Sequence, residues 1–105
     1  MALTSPTIDI IVPAYNAEHN IERCLRSILD QSYPHIRIIV INDGSSDGTQ
    51  QKIEALQATA GARILLINQP NAGPSVARNT GLARVTADFI GFVDADDHIE
   101  ATMFE

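Results

Sequence analysis

Asp43, in IIVINDGSSDGT, and Asp94 and Asp96, in FIGFVDADDH, stand where an apolar, strand-like run gives way to a polar loop. In a parallel α/β sheet the carboxyl ends of the strands are where ligands bind. Two acidic sites on separate strand ends, aimed at one crevice, suggest a metal-bound phosphorylated ligand. Mg²⁺, and similarly Mn²⁺, is usually held by one or two carboxylates together with substrate phosphates. Asp94 and Asp96 are two residues apart, so if the strand persists through them their side chains point the same way and that of Asp97 points elsewhere. A solvated acidic turn is the competing reading of such a pair. A calcium loop is disfavoured because the DxDxDG pattern fails at His98-Ile99.

Asp43 precedes Gly44, which permits close backbone approach or positive φ. An ionised carboxylate only accepts hydrogen bonds, so Asp43 could select an N–H edge such as the imide of uracil. A turn or helix-capping Asp explains the same residue. Ser45, Ser46 and Asp47 read as capping residues. The segment NAGPSVARNTG, residues 71–81, surrounds Arg78 with small side chains. Small residues let backbone approach a ligand, and Arg78 could balance a diphosphate or the acidic cluster; an ordinary surface arginine is the alternative. Tyr15 could stack on a base or simply pack. His19 and His35 read as surface or packing residues, and only His98 lies beside the acidic pair. There is no GxGxxG after the first strand and no GxxxxGK[ST], which weighs against a dinucleotide enzyme and a P-loop hydrolase.

These residues need a frame, and the hydrophobic pattern supplies one. IDIIVP, residues 8–13, is a β-branched run read as a first, buried strand. A helix is expected over about Ala17 to Gln31, with positions 21, 24, 25, 28 and 29 as its apolar stripe. Pro34 lies beyond its end. IRIIVI, residues 36–41, is the second strand. A second helix runs to Ala60 and closes at Gly61, with Asp47 and Gln50 spaced as a capping box. RILLIN, residues 63–68, is the third strand. Pro74 suits the first position of a third helix carrying Val76, Ala77 and Leu82, with Gly81 weakening its end. FIGFVD, residues 89–94, is the fourth strand. The order β-α-β-α-β-α-β with short connections predicts a parallel, doubly wound α/β sheet.

Composition bounds the rest. The chain has 105 residues, 45% hydrophobic and 19% charged, which is ordinary globular composition and one domain at most. Its net charge is −6 with only 7 Lys and Arg, which weighs against nucleic acid or an anionic membrane as partner. No apolar stretch approaches the roughly 20 residues that span a bilayer. No signal peptide is visible at MALTSPTIDI, and a location in the cytoplasm, or at the cytoplasmic face of the inner membrane in the parent protein, is expected. Cys24, the single cysteine, falls on the apolar stripe of the first helix and reads as packing.

Taken together, IIVPAYNAE, VINDGSSDGT, NAGPSVARNTG and FIGFVDADD resemble, in order and spacing, the large GT-A family 2 glycosyltransferases. That family includes cellulose, chitin and hyaluronan synthases, and the chain is most similar to bacterial members that build surface polysaccharides. The likeness covers Ile8 to Asp97. It implies a Rossmann-like GT-A fold with strand order 3-2-1-4, of which residues 1–105 are the N-terminal, nucleotide-sugar-binding part.

By the same resemblance Pro13, Tyr15 and Glu18 lie around the nucleotide, and Asp43 reads the base, commonly uracil. Gly73 and Arg78 border the pocket. Asp94 and Asp96 form a DxD that binds nucleotide and Mg²⁺ or Mn²⁺, with Asp96 the more direct metal contact. The implied partners are a UDP-sugar donor and a saccharide or lipid-linked acceptor. The implied reaction is inverting glycosyl transfer. Two departures stand out: Asn42 replaces the first Asp of the frequent DDGS, and Ala87-Asp88-Phe89 stands for the usual Gly-Glu-Tyr. The family's general base belongs to a second half with no counterpart in these residues, so donor binding without useful turnover is expected of the chain alone. Self-association through an exposed edge of the fourth strand is expected with it. A nucleotide-sugar-making nucleotidyltransferase is the enzymatic rival, disfavoured because AYNAEHN is acidic where that class carries a Gly-, Arg- and Lys-bearing loop. A non-catalytic nucleotide-binding or interaction module is the other alternative.

Overall fold

The computed structural model describes residues 5–96, so Asp97, His98 and the segment 101–105 lie outside the described residues. Four strands form one sheet in the order β3-β2-β1-β4, every pair parallel, as expected from the pattern. They are β1 (Ile8–Ala14), β2 (Ile36–Asp43), β3 (Ile64–Gln69) and β4 (Phe89–Phe92). The connecting helices are α1 (Ile21–Leu29), α2 (Thr49–Ala60) and α3 (Pro74–Leu82), with a short 3₁₀ turn at Gly61–Arg63 before β3.

Strand alternation sorts the apolar residues onto two faces. Ile10, Val12, Ile38, Val40 and Ile64 join Ile21, Cys24, Leu25 and Ile28 of α1 and Ile53 and Leu56 of α2 in the larger core. Ile11, Ile39 and Ile41 point to the other face, against Ala77 of α3. Because both faces of β1 and β2 are covered, their sequences read as apolar runs broken near their starts only by Asp9 and Arg37. Cys24 is fully buried in this core, in keeping with its reading as packing.

Several elements differ from the expectation. α1 starts four residues later than the pattern suggests, at Ile21. The amides of Ala17 and Glu18 go instead to the Thr49 hydroxyl (2.8 Å) and Asp47 Oδ2 (3.3 Å), outside any helical ladder. The capping box does not form: Gly48 is the cap residue of α2, and Gln50 donates to Glu54 Oε2 at 3.3 Å. Asp47 accepts from the Thr49 amide at 3.0 Å. On α3, Val76 and Leu82 are exposed and the buried residues are Ala77 and Gly81. Gly81 is therefore a packing position rather than a weak helix end. A Cβ there would lie 2.7 Å from Ile11 Cγ2 and 2.9 Å from Ile41 Cδ1, so the missing side chain is what brings α3 against the sheet.

β4 ends two residues early. It pairs with β1 from Ile8↔Phe89 to Ile11↔Phe92, and one further bond runs from Val93 N–H to the Ile11 carbonyl at 3.1 Å. Residues 95 and 96 form a turn, so Asp94 and Asp96 are not on a strand. Burial nevertheless alternates, with Val93 and Ala95 buried and Asp94 and Asp96 exposed. The two carboxylates share the solvent side without the strand that was to put them there.

Candidate donor-binding site

β1 and β2 end side by side, Ala14 paired with Asn42, so the loop after β1 and Asp43 meet at one edge of the sheet. A cavity of about 340 Å³ opens there, lined by Pro13, Ala14, Tyr15, Asp43, Asn71, Gly73, Pro74 and Ala77. It lies at the carboxyl ends of the strands, where β1 sits between β2 and β4 and the strand order reverses. Of the residues singled out from sequence, Pro13, Tyr15, Asp43 and Gly73 line it. Tyr15 keeps 55% of its surface exposed, which leaves its ring face free to stack.

Asp43 is the most constrained residue of the site. Its side chain folds under the β3–α3 loop, where Oδ1 accepts from Gln69 Nε2 and from the Ala72 amide, each at 2.9 Å. Oδ2 accepts from the Gly73 amide at 2.9 Å. Burial pushes the carboxyl pKa up, but the hydrogen bonds from Gln69, Ala72 and Gly73 outweigh it and hold the group below its ordinary value. Asp43 is thus an anion at neutral pH. Gly73 adopts φ +97°, which aims its amide at Asp43 and suits glycine alone. Gly44, at φ +72°, lets the chain pass Asn71, whose side-chain amide donates to the Asp43 carbonyl at 3.0 Å. Asn42 is buried and bonded to Asn68 (Nδ2 to Oδ1, 2.9 Å), so its difference from an Asp falls inside the sheet end.

Glu18 is placed elsewhere. Its Oε2 accepts from the Gly48 amide at 3.0 Å, and it does not line the cavity. Here it joins the loop after β1 to the loop after β2. Asn16 does the same: in a left-handed conformation (φ 48°), its Oδ1 accepts from the Ser46 amide at 2.8 Å and its own amide donates to Ser45 Oγ at 3.0 Å. Asp47 completes this seam. Burial pushes its pKa up, and the Thr49 hydroxyl and surrounding amides bring it below the ordinary value. Four residues of the site were not singled out from the sequence: Asn71, which lines the cavity, and Asn16, Gln69 and Thr80, which hold the adjoining loops and Asp43 without lining the cavity. Asn16 carries a weak signal, since Asn tolerates the left-handed region. For Gln69 and Thr80 the spacing carries none, because they meet only through packing of α3.

On the β4 side, Arg78 Nη2 lies 3.7 Å from Asp94 Oδ1, and both side chains are well exposed, 41% and 65%. The Cys24 thiol donates to the Asp94 carbonyl at 3.4 Å, tethering the acidic turn to α1. Among the described residues no cluster of three or more His, Cys, Asp or Glu side chains could hold a metal alone. Two solvent-facing carboxylates fit a hard divalent cation that takes its remaining ligands from phosphates and water.

The opposite end of the sheet carries a second polar cluster. The buried Asp9 carboxylate accepts from Arg37 Nε and Nη2, both at 3.0 Å, and from the amides of Thr86 (3.0 Å) and Ala87 (3.2 Å). These bonds anchor the α3–β4 connection to β1.

The fold and the paired acidic sites define a parallel α/β nucleotide-binding domain with its ligand crevice at the strand-order reversal. Residues 9–105 match the family described as glycosyl transferase family 2, and the chain belongs to that family. It is 44% identical over 103 residues to glycosyltransferase GlyA of Streptococcus pneumoniae, covering 98% of this chain and 15% of that protein. It is 45% identical over 100 residues to the glycosyltransferase EpsJ of Bacillus subtilis, covering 95% and 29%. Among solved structures, S. aureus TarS 1-349 in complex with UDP-GlcNAc superposes with a TM-score of 0.84 at 31% identity, covering 90% of this chain and 28% of that one. The mannosyltransferase PcManGT of Pyrobaculum calidifontis, in complex with GDP-Man and Mn²⁺, gives a TM-score of 0.84 at 29% identity, covering 90% and 29%. The chain spans less than a third of the length of each of these proteins. No helix among the described residues is long and apolar enough to cross a membrane.

Proposed function

We propose that the chain is the donor-binding part of an inverting glycosyltransferase that uses a nucleoside-diphosphate sugar, with UDP as the nucleotide. The observation that carries this is the cavity at the ends of β1 and β2, with the ionised Asp43 on its wall and Tyr15 at its mouth. The uracil imide would donate to Asp43, and the Tyr15 ring would cover the base. The complexes of TarS with UDP-GlcNAc and of PcManGT with GDP-Man and Mn²⁺ support a nucleotide-sugar donor and a divalent ion.

Asp94 and Asp96 would hold Mg²⁺ or Mn²⁺, with Asp96 the more direct contact. When bound, the cation neutralises charge on the diphosphate leaving group. Arg78 sits beside Asp94 and adds a positive charge on the same side. Inversion requires a base that takes the proton of the acceptor hydroxyl opposite the departing diphosphate. Asp94 and Asp96 serve the donor side in this reading. The base and the saccharide or lipid-linked acceptor site are assigned to the part of the protein beyond these residues, and the chain alone to donor binding.

Calorimetric titration of UDP with and without Mn²⁺, on the chain and on Asp96→Asn, tests this. Metal-dependent binding that Asp96→Asn loses is the expected result. A folded chain that binds neither UDP, GDP nor TDP would refute it.

A further inference from the structure

Asp43 does not offer its whole carboxylate to a ligand. A carboxylate has about four acceptor positions, two on each oxygen. Among the described residues, Oδ1 already receives two donors, Gln69 Nε2 and the Ala72 amide, while Oδ2 receives one, the Gly73 amide. One position is left, on Oδ2. The two amides are supplied by the loop backbone, whereas Gln69 is a side-chain choice. Its orientation is held from behind: the Thr80 hydroxyl of α3 lies 2.7 Å from Gln69 Oε1. That hydroxyl is also 3.0 Å from the Val76 carbonyl, but its single hydrogen is needed by Gln69 Oε1, because the ionised Asp43 obliges Gln69 to present its NH₂.

We propose that Gln69, held by Thr80, is a specificity-determining positioning residue that selects the base of the nucleotide. By occupying Oδ1 it leaves Asp43 a single acceptor, which matches an imide with one ring N–H between two carbonyls, the uracil or thymine edge. Guanine presents two adjacent donors, N1–H and N2–H, and pairs fully only with a carboxylate that has both oxygens open. The inference rests on the donor-binding reading above and deepens it.

The test is the ratio of UDP to GDP affinity, measured by calorimetry with Mn²⁺ on the chain and on Gln69→Met, Thr80→Val and Thr80→Ser, with folding checked by circular dichroism and thermal melting. Leaving a guanine donor unpaired predicts a preference of about tenfold or more for UDP in the unaltered chain. Gln69→Met reopens Oδ1, and the ratio is expected to fall toward unity. Thr80→Val should move it the same way, and Thr80→Ser, which keeps the hydroxyl, should retain the preference. A purely structural role for Gln69 would weaken both nucleotides in parallel and leave the ratio unchanged. That outcome would overturn the proposal while the donor-binding reading stood; a preference for GDP in the unaltered chain would overturn it together with the assignment of UDP, leaving only a nucleotide-sugar donor. Binding of no nucleoside diphosphate by the folded chain would remove both.

Discussion

Replacing Asp9 by Asn tests whether the site depends on an anchor at the far end of the sheet. The Asp9 carboxylate is 3% exposed and accepts four N–H donors, two from Arg37 and two from the backbone that leads into β4. Asn keeps the volume but loses the charge, and its NH₂ must face at least one of those donors. Removing one partner of a buried pair costs about 3–5 kcal/mol. Arg37 keeps 31% of its side chain in water, where it can be resolvated, so the expected loss is lower, about 2–4 kcal/mol. For a domain of this size that is a fall in Tm of roughly 10 °C or more.

Urea unfolding of the unaltered chain, Asp9→Asn, Arg37→Met and the double variant measures the loss and the coupling. The effect has a pH signature. Burial raises the Asp9 pKa, but the bonds from Arg37 and the two amides lower it further, so the folded value lies below the ordinary 3.8. The stability it contributes is therefore complete above the unfolded value and is lost as pH falls through the folded one. The gap between the unaltered chain and Asp9→Asn should hold near neutrality and close in acid. A loss below about 1 kcal/mol at pH 7, within the range of an exposed pair, would refute the buried-anchor reasoning. So would a gap indifferent to acid. Because β4 begins directly after the anchored residues and leads into Asp94 and Asp96, the same variant should weaken Mn²⁺-dependent UDP binding more than Mn²⁺-free binding.

Gly81→Ala sets two effects against each other. Better helix propensity gains up to about 1 kcal/mol, and overpacking against Ile11 and Ile41 costs about 1–3. A net loss of about 1–2 kcal/mol in urea unfolding is expected, since both isoleucines are fully buried, and an unchanged midpoint would show that they yield. Gly44→Ala combines φ +72° with a Cβ 2.5 Å from the Asn71 amide nitrogen, so it should cost about 1–3 kcal/mol and weaken UDP binding by displacing the loop over Asp43. Normal UDP affinity in this variant would separate the loop from the site. β4 is an edge strand with Phe89, Ile90 and Phe92 all exposed, so the chain is expected to self-associate in sedimentation velocity and Phe92→Lys to reduce it. A monomer at high concentration in the unaltered chain would count against this.

What the sequence determined by itself was the frame and its order. β-branched runs at 8–13, 36–41 and 63–68 and the helical stripe through Ile21, Cys24, Leu25 and Ile28 are local signals. Short parallel connections then leave few topologies, so the sheet and the position of Asp43 at a strand end were legible. Four motifs in family order also located the Asp94–Asp96 pair.

Tertiary structure decided what each polar side chain does with its hydrogen bonds. Glu18 and Asp47 spend theirs on joining two loops, which shortens α1 and leaves the Asp47–Gln50 spacing unused. Gly81 reads as a weak helix end until Ile11 and Ile41 are seen above it. Gln69 reaches Asp43 because β3 pairs with β2, and Thr80 reaches Gln69 because α3 packs against the sheet. Hydrophobic period is a property of neighbours in sequence, and it survives in the one-dimensional pattern. The partners of a donor or acceptor are neighbours in space, and packing alone chooses them.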